Sequence, residues 1–182
     1  MMNFSGLLKV LAEKFNGEGV PYALIGGFAM HAAGLSRATG DVDLLVDAKD
    51  QEKVKAILLS LGYKILFENE NVMNLAAPWM LIGGIDILWA RRPYSLEMIR
   101  TAGISPMAGM AIPVVSPESI IGLKVQAMVN DPERRLRDMA DIEWLVKEHH
   151  DNMDMVLVRQ YFDLFSMGKD LEELLQRLGY AH

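Results

Sequence analysis

Apolar residues near the start of the chain fall at Phe4, Leu7, Leu8, Leu11 and Phe15. That spacing is one stripe of a helix and predicts an amphipathic helix over 3–16, closed by Asn16-Gly17. The pattern then changes to short apolar runs bounded by turn residues. Tyr22–Ile25, Val42–Val46, Tyr63–Phe67, Val72–Ala76 and Ile85–Trp89 read as five strands, and Ala111–Val115 as a sixth at an edge. Phe28–Ala33 and Gln51–Leu61 carry helical spacing between them. From Ser116 onward only the helical period remains. Ser116-Pro117-Glu118 combines an N-cap hydroxyl, a proline suited to the first helical position and an acid in the first turn. Helices are predicted over 117–130, 132–148, 153–166 and 169–178. The expected fold is α/β (α+β): a small mixed sheet of about five strands with flanking helices over 1–115, then a C-terminal helical bundle over 116–182.

Composition narrows the class. The chain has 182 residues, 51% hydrophobic and 23% charged, an ordinary globular balance. Lys and Arg number 18 against 24 Asp and Glu, a net charge of −6, which speaks against non-specific coating of nucleic acid. There is no cysteine, so disulfides, thiolate metal sites and cysteine nucleophiles are excluded. Lys9, Glu13 and Lys14 interrupt any signal-peptide core. The most apolar stretch, Leu75–Ala90, contains Pro78, Gly83, Gly84 and Asp86 and is no membrane span. A soluble cytoplasmic protein is expected.

The chemistry concentrates in LIGGFAMHAAGLSRATGDVDLLVD. Asp41 and Asp43 are two apart on a predicted strand, so they share a face, and their neighbours Val42, Leu44, Leu45 and Val46 are apolar. Two carboxylates beside a core repel each other and lose hydration, and a divalent cation such as Mg2+ is the usual compensation. Asp86 has the same setting between Ile85 and Ile87. Three acids from neighbouring strands would supply a two-metal phosphoryl-transfer site. Gly26-Gly27 sits where a strand turns into a helix, and backbone amides there approach phosphate closely. Taken singly, the glycine pair could be a bare tight turn and the acids a solvated strand end. Together they are hard to explain by stability, because burying acids is costly.

The arrangement Ile25-Gly26-Gly27, a spacer, Asp41-Val42-Asp43-Leu44 and a later strand acid, Asp86, resembles the nucleotidyltransferase superfamily related to DNA polymerase β. Within it the stretch looks most like the abortive-infection (AbiEii-type) toxin branch and its small relatives, over about residues 20–147. That branch has a similar helix with a Lys followed by an Arg and D-x-x-D, where this chain has Lys124, Arg135, Asp138 and Asp141. The resemblance implies transfer of a nucleoside monophosphate from an NTP to an acceptor hydroxyl, with release of pyrophosphate. Asp41, Asp43 and Asp86 would be catalytic and hold Mg2+ or Mn2+. Gly26, Gly27 and Lys124 would hold the triphosphate, with Arg37 and Thr39 in reach of phosphate. Lys124 has apolar neighbours, Ile120, Ile121, Ala127 and Met128, so it either binds an anion or snorkels to water. Asp138 is the weakest candidate, because Arg134–Asp138 and Arg137–Asp141 also fit a surface ion-pair ladder.

The acceptor stays open between an RNA end, a protein hydroxyl and a small molecule such as an aminoglycoside, and a cognate antitoxin is a candidate partner. Arg91-Arg92, following the third acid, are candidates for an acceptor phosphate. Two other readings compete. One is a non-catalytic toxin–antitoxin binding module of the same fold. The other is a dinucleotide-binding oxidoreductase, with Gly26-Gly27 after a strand and Asp47 twenty residues beyond Gly27. The second lacks G-x-G-x-x-G and leaves three acids unexplained.

Overall fold

The computed structural model describes residues 4–35, 38–78 and 83–180. The chain divides into two compact units, Met1–Ser116 and Pro117–His182. The first begins with α1 (Phe4–Gly17), whose stripe Leu7, Leu8, Leu11 and Phe15 is buried. Then come β1 (Tyr22–Leu24), α2 (Gly26–Ala32), β2 (Asp41–Asp47), α3 (Gln51–Ser60), β3 (Lys64–Glu68), β4 (Val72–Ala76), β5 (Gly84–Ala90), α4 (Pro93–Arg100), β6 (Gly103–Met107) and β7 (Met110–Val114).

Among the described residues the sheet has seven strands, not about five, in the order β3-β4-β5-β2-β1-β7-β6. The extra pieces are β6, which contains Gly103 and Pro106 and forms the edge, and β7, expected at an edge but paired on both sides, with β1 and β6. Glycine and proline hide a strand from pattern reading, and both are tolerated at a sheet edge. Helix α4 has no counterpart among the elements the sequence pattern predicts. It is short, but its start carries a reciprocal cap between Arg92 and Ser95 and a proline in the first turn.

Strands β2 and β5 pair in parallel and β1 pairs with β7 in parallel; the remaining neighbours are antiparallel. One face of the central strands is core. Val42, Leu44, Val46, Met73, Leu75, Ile85 and Ile87 are buried there, and Phe15 meets Tyr22 edge-on. The antiparallel β1–β2 pair removes the dinucleotide reading, which needs parallel strands around its first helix. Asp47 instead accepts from the Lys49 amide and caps a 3-10 turn.

The second unit is helical throughout: α5 (Pro117–Asn130), α6 (Arg135–His149), α7 (Met155–Leu164) and α8 (Gly168–Leu178). The predicted helix over 132–148 resolves into a 3-10 turn, Pro132–Arg134, and then α6. Asp131 caps that turn, and Asp154 caps α7 by accepting from Val156 and Leu157. Ile121, Val125, Ile142, Leu145, Val158 and Phe162 form the interior. Gly122 lets α5 approach α7, since a β-carbon there would come within 2.8 Å of the Tyr161 ring. No helix among the described residues is long and apolar enough to cross a membrane.

Candidate active site

Register brings the acids together. Along β2 and β5, Asp41 lies opposite Gly84 and Asp43 opposite Asp86. Side chains two apart share a face, and paired residues on adjacent strands point the same way. All three carboxylates therefore lie on one face. It is not the core face: Asp41 is exposed, and Asp43 and Asp86 are half-buried. The sequence predicts acids inside buried strands. The structure shows strands with one core face and one open face at this end, so Ile85 and Ile87 pack inward while Asp86 between them points out. Asp86 also pairs with Asn74 of β4, and Asn74 with Phe67 of β3. One row thus runs Asp43, Asp86, Asn74, Phe67 across four strands.

Neutral donors hold two of these acids. The Gly84 amide donates to Asp41 Oδ1 at 3.0 Å, and the Asn74 amide donates to Asp86 Oδ1 at 2.6 Å. Glycine at 84 leaves room for this carboxylate, since a β-carbon there would lie 2.6 Å from Asp41 Oδ1 and 3.0 Å from the Leu75 carbonyl. Buried Tyr63 steadies the same corner by donating to the Gly83 carbonyl at 3.1 Å; burial pushes its phenol up to about 12. The glycine pair serves packing as well. Gly26 has φ +58°, and its β-carbon would collide with the Asp43 carboxylate at 2.1 Å. A β-carbon on Gly27 would meet Thr39 at 2.8 Å. Thr39 in turn donates its hydroxyl to the Asp41 carbonyl at 3.0 Å. Gly26, Gly27, Thr39, Asp41, Asp43 and Asp86 are therefore neighbours in space.

Within the helical unit, Lys124 sits in an ion cluster of its own. Its ammonium donates to Asp138 Oδ1 at 3.0 Å and to Asp141 Oδ2 at 2.5 Å, and all three residues are buried. Arg134 adds a bond to Asp138 Oδ2 at 2.9 Å, and Arg137 also reaches Asp138. The expected surface ladder is thus an interior ion cluster tying α5 to α6. Burial alone would raise the Asp138 carboxyl, but Lys124 and Arg134 outweigh it and hold the group below its ordinary range. The need for an anion beside Lys124 was readable from its apolar neighbours; that two carboxylates of the next helix supply it was not.

Arg37 lies outside the described residues. Arg91 and Arg92 do not join the acids. They follow the far end of β5, and Arg91 is engaged by the Glu70 carbonyl and the Gln51 side chain. The sequence pattern marks Asn74, Tyr63 and Phe67 only as strand residues. Asn74 gives a polar break in the apolar run Val72–Ala76, the one signal that marked it.

The donor set fits a divalent cation chemically, being hard carboxylate oxygens on one open face. In their present rotamers, no group of three or more acids and histidines among the described residues stands close enough to enclose an ion.

A sequence model of the family described as "Uncharacterised nucleotidyltransferase" matches residues 2–164. The chain belongs to that family. No curated protein matches it in sequence. Solved structures share its fold. The antibiotic-resistance factor ANT(2'')-Ia is 15% identical, with 98% of each chain covered and a TM-score of 0.65. The lincosamide antibiotic adenylyltransferase LnuA is 20% identical, over 79% of this chain and 96% of that one, with a TM-score of 0.58. An antigenic nucleotidyltransferase-like protein from Paracoccidioides brasiliensis is 18% identical, over 94% and 91%, with a TM-score of 0.55. These likenesses establish a nucleotidyltransferase fold for this transferase family member.

Proposed function

We propose that the protein transfers a nucleoside monophosphate from an NTP to an acceptor hydroxyl. The acceptor oxygen attacks the α-phosphorus, the bond to the β-phosphoryl oxygen breaks, and pyrophosphate leaves. The observation that carries this reading is the row of acids: Asp43 opposite Asp86 in register, Asp41 on the same open face, beside a glycine turn packed on Asp43. Stability alone gives no reason to place three carboxylates there. Asp41 and Asp43 would hold magnesium or manganese, which when bound supplies positive charge to the phosphates. Asp86, on the neighbouring strand, faces the acceptor and takes the hydroxyl proton, while the Asn74 amide fixes its carboxylate. Gly26 and Gly27 offer backbone without side chains at the donor side, with Thr39 beside them.

The acceptor is a separate matter. The complex of ANT(2'')-Ia with adenylyl-2''-tobramycin and that of LnuA with lincomycin are those proteins' own chemistry. A toxin-like enzyme with an RNA acceptor and an antitoxin partner is supported by the motif resemblance over residues 20–147. All three acids are present, which favours an enzyme over a non-catalytic module.

The test is incubation with each α-labelled NTP, magnesium, and separate pools of RNA, protein and small metabolites. Label should pass to one pool with the wild type and to none with Asp41→Asn plus Asp43→Asn. Transfer that survives the double substitution would overturn the site.

A further inference from the structure

The sheet face beyond Asp86 is open, and its chemistry is uneven. On β4 the residues of this face, Val72, Asn74 and Ala76, are half-buried, whereas Met73 and Leu75 on the other face are buried. On β3, Phe67 shares the row of Asp86 and Asn74 and is 53% exposed. Lys64 pairs with Ala76, two residues along from Asn74, and the register shift between Ile65 and Phe67 brings it to the same face as Phe67, where it is exposed. The acid of β3, Glu68, pairs with buried Met73 and so faces the other way, where it accepts from Lys55 at 2.7 Å. Past Asp86 the face thus presents an amide, an aromatic ring and a cation, and no carboxylate of β4 or β3.

We infer that Asn74, Phe67 and Lys64 form the binding platform for the acceptor, and that the platform selects an acceptor carrying a flat ring and an anionic group. This rests on the nucleotidyl-transfer reading for where the reacting hydroxyl sits. Strands lie about 4.8 Å apart, so Phe67, two strands from Asp86, is about 10 Å from the acid that receives the hydroxyl proton. An acceptor held at both places spans at least that length. A large exposed aromatic beside an active row serves stacking, since its face accepts any flat ring. Lys64 attracts an anion and repels a polycation. The two matching sources are a short oligonucleotide end and a free dinucleotide; a polyamine-rich sugar does not match.

The test uses the full chain and measures binding apart from chemistry. The probes are a fluorescent five-nucleotide RNA with a free 3′-hydroxyl, a dinucleotide competitor and a fluorescent aminoglycoside. The variants are Phe67→Ala, Phe67→Trp and Lys64→Glu, all on the surface. The RNA should bind the wild type, weaken about tenfold with Phe67→Ala, recover with Phe67→Trp, and weaken with Lys64→Glu more at low salt than at high salt. The competitor arm separates the sources: displacement by dinucleotide at similar concentration assigns the short molecule, and failure to displace assigns the longer strand. NTP affinity should not change in any variant. No RNA binding by the wild type, unchanged binding in Phe67→Ala and Lys64→Glu, or aminoglycoside binding that needs Phe67 would each overturn the platform. Absence of NTP binding or of transfer with a platform that still binds RNA would instead overturn the nucleotidyl-transfer reading alone.

Discussion

Each unit contains a cluster of aspartates, and the two clusters are compensated in opposite ways. In the helical unit, Asp138 and Asp141 are buried against Lys124 and Arg134, so the cations that balance them are built into the fold. In the sheet unit, Asp41 and Asp86 are held by a backbone amide and a side-chain amide, and no described residue forms an ion pair with either. Carboxylates that bring their own cations are finished structures. Carboxylates oriented by neutral donors on an open face are accessible to a cation that arrives from solution. Similar spacings, D-x-D and D-x-x-D, therefore sit in different electrostatic surroundings: built-in cations around Asp138, neutral donors on Asp41 and Asp86.

Removing Lys124 should have the largest effect on stability. Lys124→Ala strands buried carboxylates and should cost about 3–5 kcal/mol in urea unfolding, the range for breaking a buried pair from one side. Adding Asp138→Asn and Asp141→Asn should restore much of the loss. Calorimetry with ATP and adenosine sharpens the contrast: a loss confined to ATP in the single variant would make Lys124 a triphosphate ligand as well.

The sheet acids should behave the other way. Asp86→Asn should leave the melting temperature nearly unchanged and NTP affinity within about tenfold, or about 1.4 kcal/mol. Single-turnover transfer should fall at least about 100-fold, the low end for one acid–base contribution. A variant with near-normal transfer would break the comparison, since Asp86 would then be no more functional than Asp138.

Gly26→Ala should cost about 1–3 kcal/mol by urea unfolding, because it places a side chain at positive φ and against Asp43. Wild-type stability with Gly26→Ala would mean the turn and the carboxylate yield easily.

The smallest expected effect is on acid unfolding. The Asp138 carboxyl is lowered in the folded state from its ordinary value of 3.8. Its stabilisation is therefore complete above that value and lost as pH falls through the folded one. Asp138→Asn should flatten the pH dependence of stability below about pH 4 and leave its shape near neutrality unchanged. An unaltered acid limb would show that the cluster is not what senses acid.

The chain's periodicity decided a good deal unaided. The α1 stripe, the two central strands, the start of α5 and the switch to an all-helical tail all follow from local spacing and capping chemistry. So does the pairing of Asp41 with Asp43 on one face, because side chains alternate along any strand. Strand β6 and helix α4 were not legible. Gly103 and Pro106 erase the strand pattern, and a helix of eight residues offers barely two turns of period. Tertiary structure alone decided which strands are neighbours and in what register. Only that placed Asp86 opposite Asp43, set Asn74 and Phe67 in the same row, turned the acids to the open face and gave Lys124 its two aspartates. A local pattern records what each residue does to its own backbone, whereas register depends on contacts between segments far apart in the chain, whose pairing is set by how their apolar faces bury together.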